Sequence, residues 1–60
     1  LIPRIEKLLA DESALIRGSA VWALAQLMDE NGFRTLKARH FSGEKDQDVQ
    51  AEWDQAATAA

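Results

Sequence analysis

The chain has 60 residues, of which 47% are hydrophobic and 28% charged, and its formal net charge is −3. This balance is typical of a folded domain rather than a disordered segment, and the length limits the chain to one small domain. With no cysteine and one histidine, His40, the chain lacks the residues for a disulfide framework or for a metal site of its own.

The hydropathy of the chain and the residues at its N-terminus indicate where in the cell the protein is located. The longest mostly apolar stretch, residues 14–28, contains Arg17 and Gln26 and is shorter than the roughly 20 residues that span a bilayer. We therefore expect a soluble protein without a membrane partner, and a cytoplasmic location. The chain begins at Leu1 without methionine and shows no signal peptide, which favours a segment of a longer protein.

The first two predicted elements are helices. Pro3 suits a first helical turn, and the apolar spacing from Ile2 to Leu9 predicts a helix over about residues 3–10. Ser13 is a natural N-cap for a second helix over about residues 14–29, which Asn31 and Gly32 are predicted to end. Ile16, Ala20, Leu24 and Leu27 are predicted to pack inward against the first helix at Ile5 and Leu9. The residues predicted to hold the domain together are Ile16, Trp22, Leu24 and Leu27.

Two shorter helices are predicted in the second half. The spacing of Phe33, Leu36 and His40 predicts a helix over about residues 33–41. Asp46 is a plausible N-cap for a helix over about residues 47–57, with Val49 and Trp53 on its apolar face and fraying expected toward Ala60.

The second helix pair repeats the first. Ser13 to Ile16 aligns with Asp46 to Val49 at an offset of 33 residues. A helix pair that recurs at such a period is typical of an α-solenoid. We therefore predict an all-α module over residues 1–60, made of two stacked antiparallel helix pairs.

The segment from Leu8 to Leu24 resembles the HEAT-like repeat, which has an acidic turn, an aliphatic-Arg pair and then Ala and Ala-Leu on the inner helix. The segment Ile16-Arg-Gly-Ser-Ala-Val-Trp-Ala-Leu24, with Asp48-Val-Gln-Ala-Glu-Trp53 further on, is more particularly similar to the C-terminal end of bacterial epoxyqueuosine reductases. We call the two helix pairs the first and the second unit. The second unit departs from the pattern, with Gln50 at the position of Arg17.

This resemblance implies a function for the parent protein. The parent would be an oxidoreductase that reduces the epoxide of a modified guanine at the tRNA wobble position, with a cobalamin and two four-iron clusters. Such clusters need cysteine thiolates, which this chain does not have. The resemblance thus implies a module without catalytic, cofactor or metal residues, which packs on the parent catalytic domain and helps to hold tRNA.

The candidate tRNA contacts are Arg17, Arg34 and Lys37. A guanidinium on Arg17 can bind a phosphate or pair with an acid of the neighbouring repeat, and we favour the pairing. Arg34 and Lys37 lie about 60° apart on their helix and Arg39 points to the far side. A solvated outer helix is the alternative for this basic segment.

Other conspicuous side chains have structural interpretations. Trp22 and Trp53 fit core anchors better than base-stacking platforms, with Trp22 the clearer case. His40 lies on an apolar stripe, which favours a neutral imidazole. Asp46, Asp48 and Glu52 lack the spacing of a calcium loop and fit a solvated acidic face. The acidic balance also leaves open a second function, a protein-protein adaptor for a basic partner.

Overall fold

The computed structural model describes residues 1–58, which contain four α-helices and no β-strand. Helix α1 is Ile2–Lys7, followed by the 3-10 turn Leu8–Ala10, and helix α2 is Ala14–Leu27. Helix α3 is Glu30–His40, followed by the 3-10 turn Phe41–Gly43, and helix α4 is Gln47–Thr58. The predicted all-α class is confirmed, while the end of the predicted frayed tail, Ala59 and Ala60, lies outside the described residues.

Side-chain caps start α2 and α4, as the sequence predicted. The hydroxyl of Ser13 accepts a hydrogen bond from the Ile16 amide at 3.4 Å, so the predicted cap of α2 is present. The carboxylate of Asp46 accepts from the amides of Asp48 and Val49 at 2.8 and 3.3 Å, as predicted for α4. Each cap satisfies amide groups that have no partner inside their own helix.

The boundary between α2 and α3 differs from the prediction. Asn31 and Gly32, expected to end α2, lie inside α3. The side chain of Asp29 accepts from the Gly32 amide at 2.7 Å and starts α3 there, after α2 has ended at an extended Met28. An N-cap carboxylate at Asp29 therefore determines this turn, and no described glycine adopts a positive φ.

The hydrophobic core is shared by α2, α3 and α4. Helix α2 packs most extensively against α4 and also contacts α1, and α3 packs against α4. The buried core residues are Val21 and Leu24 of α2, Phe33 and Leu36 of α3, and Val49, Trp53 and Ala56 of α4. The short helix α1 has no buried residue and covers this core with the half-buried Ile2 and Ile5.

Three predicted core residues lie elsewhere. Ile16 and Leu27 are 40% and 46% exposed, and Trp22 is half-buried at the margin of the core. The indole at the centre belongs to Trp53, which is 1% exposed. The reason is that α2 carries apolar residues on several faces, and the face that meets α4 contains Val21 and not Ile16.

The repeat explains the difference in burial. Val49, which corresponds to Ile16 at the 33-residue offset, is 1% exposed because α4 lies against α2. Within residues 1–58 no helix covers the equivalent face of α2. The same side-chain position is therefore core in the second unit and surface in the first.

Over the described part of the chain, none of the helices is both long enough and apolar enough to cross a membrane.

Candidate functional site

Arg17, in the first turns of α2, connects the two helical units. Its Nε and Nη2 donate to the two carboxylate oxygens of Glu44 at 2.9 and 3.1 Å, a bidentate pair. Its Nη1 donates to the backbone carbonyls of Asp11 and Glu12 at 2.7 and 3.0 Å. The guanidinium therefore binds the turn of its own unit and the loop of the next unit at once. We call these contacts the Arg17 junction.

The Arg17 junction is shielded from water. The side chains of Arg17 and Glu44 are 19% and 8% exposed. The hydrogen bond to Glu44 raises the pKa of Arg17 above its usual value. Burial alone would raise the pKa of Glu44, but hydrogen bonds from Arg17 and from the Asp46 amide outweigh it, so this pKa is lowered. Both groups therefore keep their charge at neutral pH.

Glu44 was not singled out in the sequence, although the repeat contained a signal for it. Glu44 follows Asp11 by 33 residues, so the two acids occupy equivalent turns. Gln50, which replaces Arg17 in the second unit, donates from its side chain to the Glu44 carbonyl, as Arg17 does to Asp11. The second unit therefore retains the contact with its own turn but lacks a guanidinium for a bidentate pair.

Gly18 makes room for the Glu52 side chain of α4 against α2. A Cβ at Gly18 would lie 2.9 Å from the carboxyl carbon of Glu52 and would overlap one of its oxygens. Gly18 itself is buried, as expected for close helix packing. The adjacent positions 17 and 18 thus both serve contact between the two units.

Two of the candidate tRNA contacts, Arg34 and Lys37, lie on α3 in pairs with acids. Arg34 is paired with Glu30 at 3.3 Å, and both side chains are well exposed. Lys37 binds the carboxylate of Asp54 at 2.7 Å, and its ammonium also lies 5.4 Å from the ring centroid of Phe41. The exposed pair is weak and would compete little with a ligand.

Arg39 and Lys45 differ from these pairs. Within residues 1–58 neither makes a hydrogen bond or an ion pair by its side chain, and both are exposed. Sequence reasoning placed Arg39 on the far side of α3 and did not weigh Lys45. Only the fold brings this loop lysine to the same end of the molecule as Arg39.

The remaining candidates have structural surroundings. The ring of His40 is half-buried and lies parallel to the Trp53 indole, with an interplanar angle of 5° and 6.3 Å between centroids. Asp46 caps α4, and Asp48 and Glu52 lie within that helix. No group of three potential metal ligands occurs in the part of the chain that the structure describes.

Comparison with known proteins bears on the family. A family model described as HEAT repeat matches residues 1–30, half of the chain. No curated protein and no solved structure matches the chain. The matched half contains α1, the acidic turn and α2 with Arg17, the elements that form the first unit and its side of the junction. The chain belongs to the HEAT-repeat family.

Proposed function

We propose that this HEAT-repeat chain is the C-terminal module of a cytoplasmic epoxyqueuosine reductase, where it has a structural role and helps to position tRNA. The observation that carries the proposal is the use of the motif residues. Arg17 binds Glu44, Gly18 admits Glu52 and Trp53 fills the core. Three of the residues on which the resemblance rests therefore hold the two units together, which suits a positioning module.

The cofactors of the proposed parent do not fit the residues of this chain. Cobalamin and two four-iron clusters are what the resemblance implies for the whole enzyme. The clusters would need cysteine thiolates, and the sequence contains none. We therefore assign these groups and the oxidoreductase chemistry to the rest of the parent protein, and assign no catalytic step to residues 1–60.

Helix α3 supplies the proposed tRNA contact. Arg34 and Lys37 are held by pairs that a phosphate can displace, because surface ion pairs contribute only about 0–1 kcal/mol. Arg17, the third candidate, has its donors on protein acceptors and would contribute indirectly, by holding the two units together. Contacts of this type bind the phosphate backbone and do not read sequence.

The test is tRNA binding by the full-length parent enzyme. Fluorescence anisotropy with a labelled tRNA that carries guanine at the wobble position should give an affinity that falls steeply with salt. The double variant Arg34→Glu with Lys37→Glu should weaken binding at least about tenfold and lower the salt slope by about two. Arg4→Glu with Lys7→Glu makes the same change of charge on exposed residues of α1 and is the matched control. Equal effects of the two double variants would reject the contact through α3.

The parent catalytic domain is the second proposed partner. The first unit exposes large apolar side chains that a stable monomer would be expected to cover, namely Leu1, Leu8, Leu15, Ile16 and Leu27. We propose that the catalytic domain covers these side chains. If packing is the module's only role, its deletion should lower the melting temperature of the catalytic domain and leave tRNA affinity unchanged, which distinguishes a structural cap from a tRNA contact.

A specific observation favours a second function, a protein-protein adaptor of the HEAT-repeat type. A groove of about 460 Å³ between the start of α2 and α4 is lined by Asp46, Asp48 and Glu52 together with apolar side chains that include Leu15. None of these acids forms an ion pair within residues 1–58. Charge complementarity points to a basic segment with an apolar anchor.

A peptide titration separates the two functions. A labelled amphipathic peptide of lysine and leucine should bind the protein, and Asp48→Asn with Glu52→Gln should weaken this binding severalfold. A peptide with the same lysines but serine for leucine is the control for charge alone. If both peptides bind alike, or if the variant leaves binding unchanged, the adaptor function is rejected and the tRNA function is unaffected.

A further inference from the structure

A pocket at the turn end of the molecule has no role in the functions proposed so far. Its volume is about 390 Å³, and it opens between the first turn, at Asp11, and the second loop, at Lys45. We call it the turn pocket. Arg39 and His40 contribute from the end of α3, and the buried Trp53 forms part of its wall.

The charges around the turn pocket leave an excess of cations. Arg17 and Glu44 both line it, but they neutralise each other in their bidentate pair. Arg39 and Lys45 are left without an ion pair within residues 1–58, against one carboxylate, that of Asp11. The Asp11 carboxylate accepts from the Ser13 amide at 2.9 Å. Among the side chains that line the pocket, cations therefore exceed acids by one, while the neighbouring carboxylates of Glu12 and Asp46 lie outside this lining.

The wall of the turn pocket is fixed by packing. The imidazole of His40 lies parallel to the Trp53 indole, and Trp53 itself is 1% exposed. The Arg17 junction holds the two turns that border the pocket. A ligand would therefore meet a largely preformed concave wall with exposed cationic side chains at its rim, which lowers the ordering cost of binding.

We propose that the turn pocket binds a phosphate group, with Arg39 and Lys45 as its charged contacts. An arginine offers a planar fork of donors that matches phosphate oxygens, and a lysine adds a point charge. The phosphate has two possible sources, a free phosphate ion and the backbone of an RNA. The RNA source rests on the proposed tRNA function, whereas the free ion does not.

Titration of the 60-residue protein with inorganic phosphate tests the pocket directly. Amide resonances of Ala10 and Gly43 in two-dimensional NMR should move with saturation, relative to chloride at equal ionic strength. Arg39→Gln should weaken the binding about tenfold and Asp11→Asn should tighten it, because the repelling carboxylate is lost. Arg4→Gln, which removes the same charge from an exposed residue of α1 outside the pocket, is the matched control. Absence of saturable shifts, or equal weakening by Arg4→Gln, would overturn the proposal.

The source of the phosphate is decided by a second arm with the full-length parent and tRNA. If inorganic phosphate competes with tRNA and Arg39→Gln weakens both, the ligand is the RNA backbone. If Arg39→Gln weakens phosphate binding alone while Arg34→Glu with Lys37→Glu still weakens tRNA binding, the pocket serves a free phosphate. If Arg39→Gln weakens phosphate binding but neither Arg39→Gln nor Arg34→Glu with Lys37→Glu weakens tRNA binding, the phosphate pocket is supported and the tRNA function is rejected.

Discussion

Replacement of Trp53 by phenylalanine tests which indole holds the fold together. Trp53 is 1% exposed, and its ring centroid lies 5.3 Å from that of Phe33 at an interplanar angle of 34°. Phenylalanine retains the β-carbon and one six-membered ring but removes about three heavy atoms from the core. Trp22→Phe makes the same chemical change at a half-buried site and is the matched control.

The magnitude follows from the atoms removed. At about 0.8 kcal/mol for each buried CH₂-sized group, loss of about three groups costs roughly 2–2.5 kcal/mol. The space left behind adds to this cost at about 24 cal/mol per Å³. Stability of roughly 0.05–0.15 kcal/mol per residue gives a chain of this length about 3–9 kcal/mol in total. The variant should therefore fold with much reduced stability, while Trp22→Phe should cost less than about 1 kcal/mol because its indole is already partly in water.

Urea unfolding followed by far-ultraviolet circular dichroism measures both variants. With a slope near about 1 kcal/mol per molar urea for a small domain, Trp53→Phe should lower the midpoint by about 2 M. Trp22→Phe should lower it by less than about half of that amount. A larger shift for Trp22→Phe than for Trp53→Phe would refute the assignment of Trp53 to the centre of the core.

Three further predictions concern the junction and the caps. Because the pKa of Glu44 is lowered in the folded protein, its negative charge stabilises the fold at pH values above the pKa of an unfolded glutamate, which is about 4.3. This stabilisation is lost as the pH falls through the folded pKa. The difference in melting temperature between wild type and Glu44→Gln should therefore shrink below that pH, and a constant difference would contradict the ionised pair. Gly18→Ala should stabilise the Glu52→Ala variant by about 1 kcal/mol, the difference in helix propensity between glycine and alanine. In the wild type the gain should be smaller, because the new Cβ must displace the Glu52 carboxyl group. Equal gains in urea titrations of the two backgrounds would exclude this contact. Asp46→Ala should cost about 1 kcal/mol through loss of the cap on α4 and Asp46→Asn much less, so equal losses would argue against the cap.

The Arg17 junction shows how one side chain can link two short helical units. Helices usually pack through apolar side chains. Here one guanidinium also links the turn of the first unit to the loop of the second with four hydrogen bonds. Gln50 keeps only the contact with its own turn. A repeat that carries arginine at this position can bind the loop of the following unit, and one that carries glutamine cannot do so with a bidentate pair.

The helices and two of their N-caps could be predicted from the sequence, because they depend on local interactions. Helix formation depends on propensity, period and caps, all of which act within a few residues. The all-α class and the caps at Ser13 and Asp46 are therefore found as predicted. The boundary at Asp29 was missed because Asn31 and Gly32 have the composition of a stop, while the carboxylate two residues earlier forms the better cap.

Burial and partner choice depend on the packing of the helices, which local rules do not specify. Helix α2 is apolar on several faces, so its period could not show that Val21 and Leu24 face α4 while Ile16 and Leu27 are left at the surface. The pairing of Arg17 with Glu44 joins residues 27 positions apart, and Arg39 and Lys45 line the same pocket only because the loop lies beside the end of α3. These contacts arise when the helices pack, because long-range contacts follow from which faces bury the most apolar surface together.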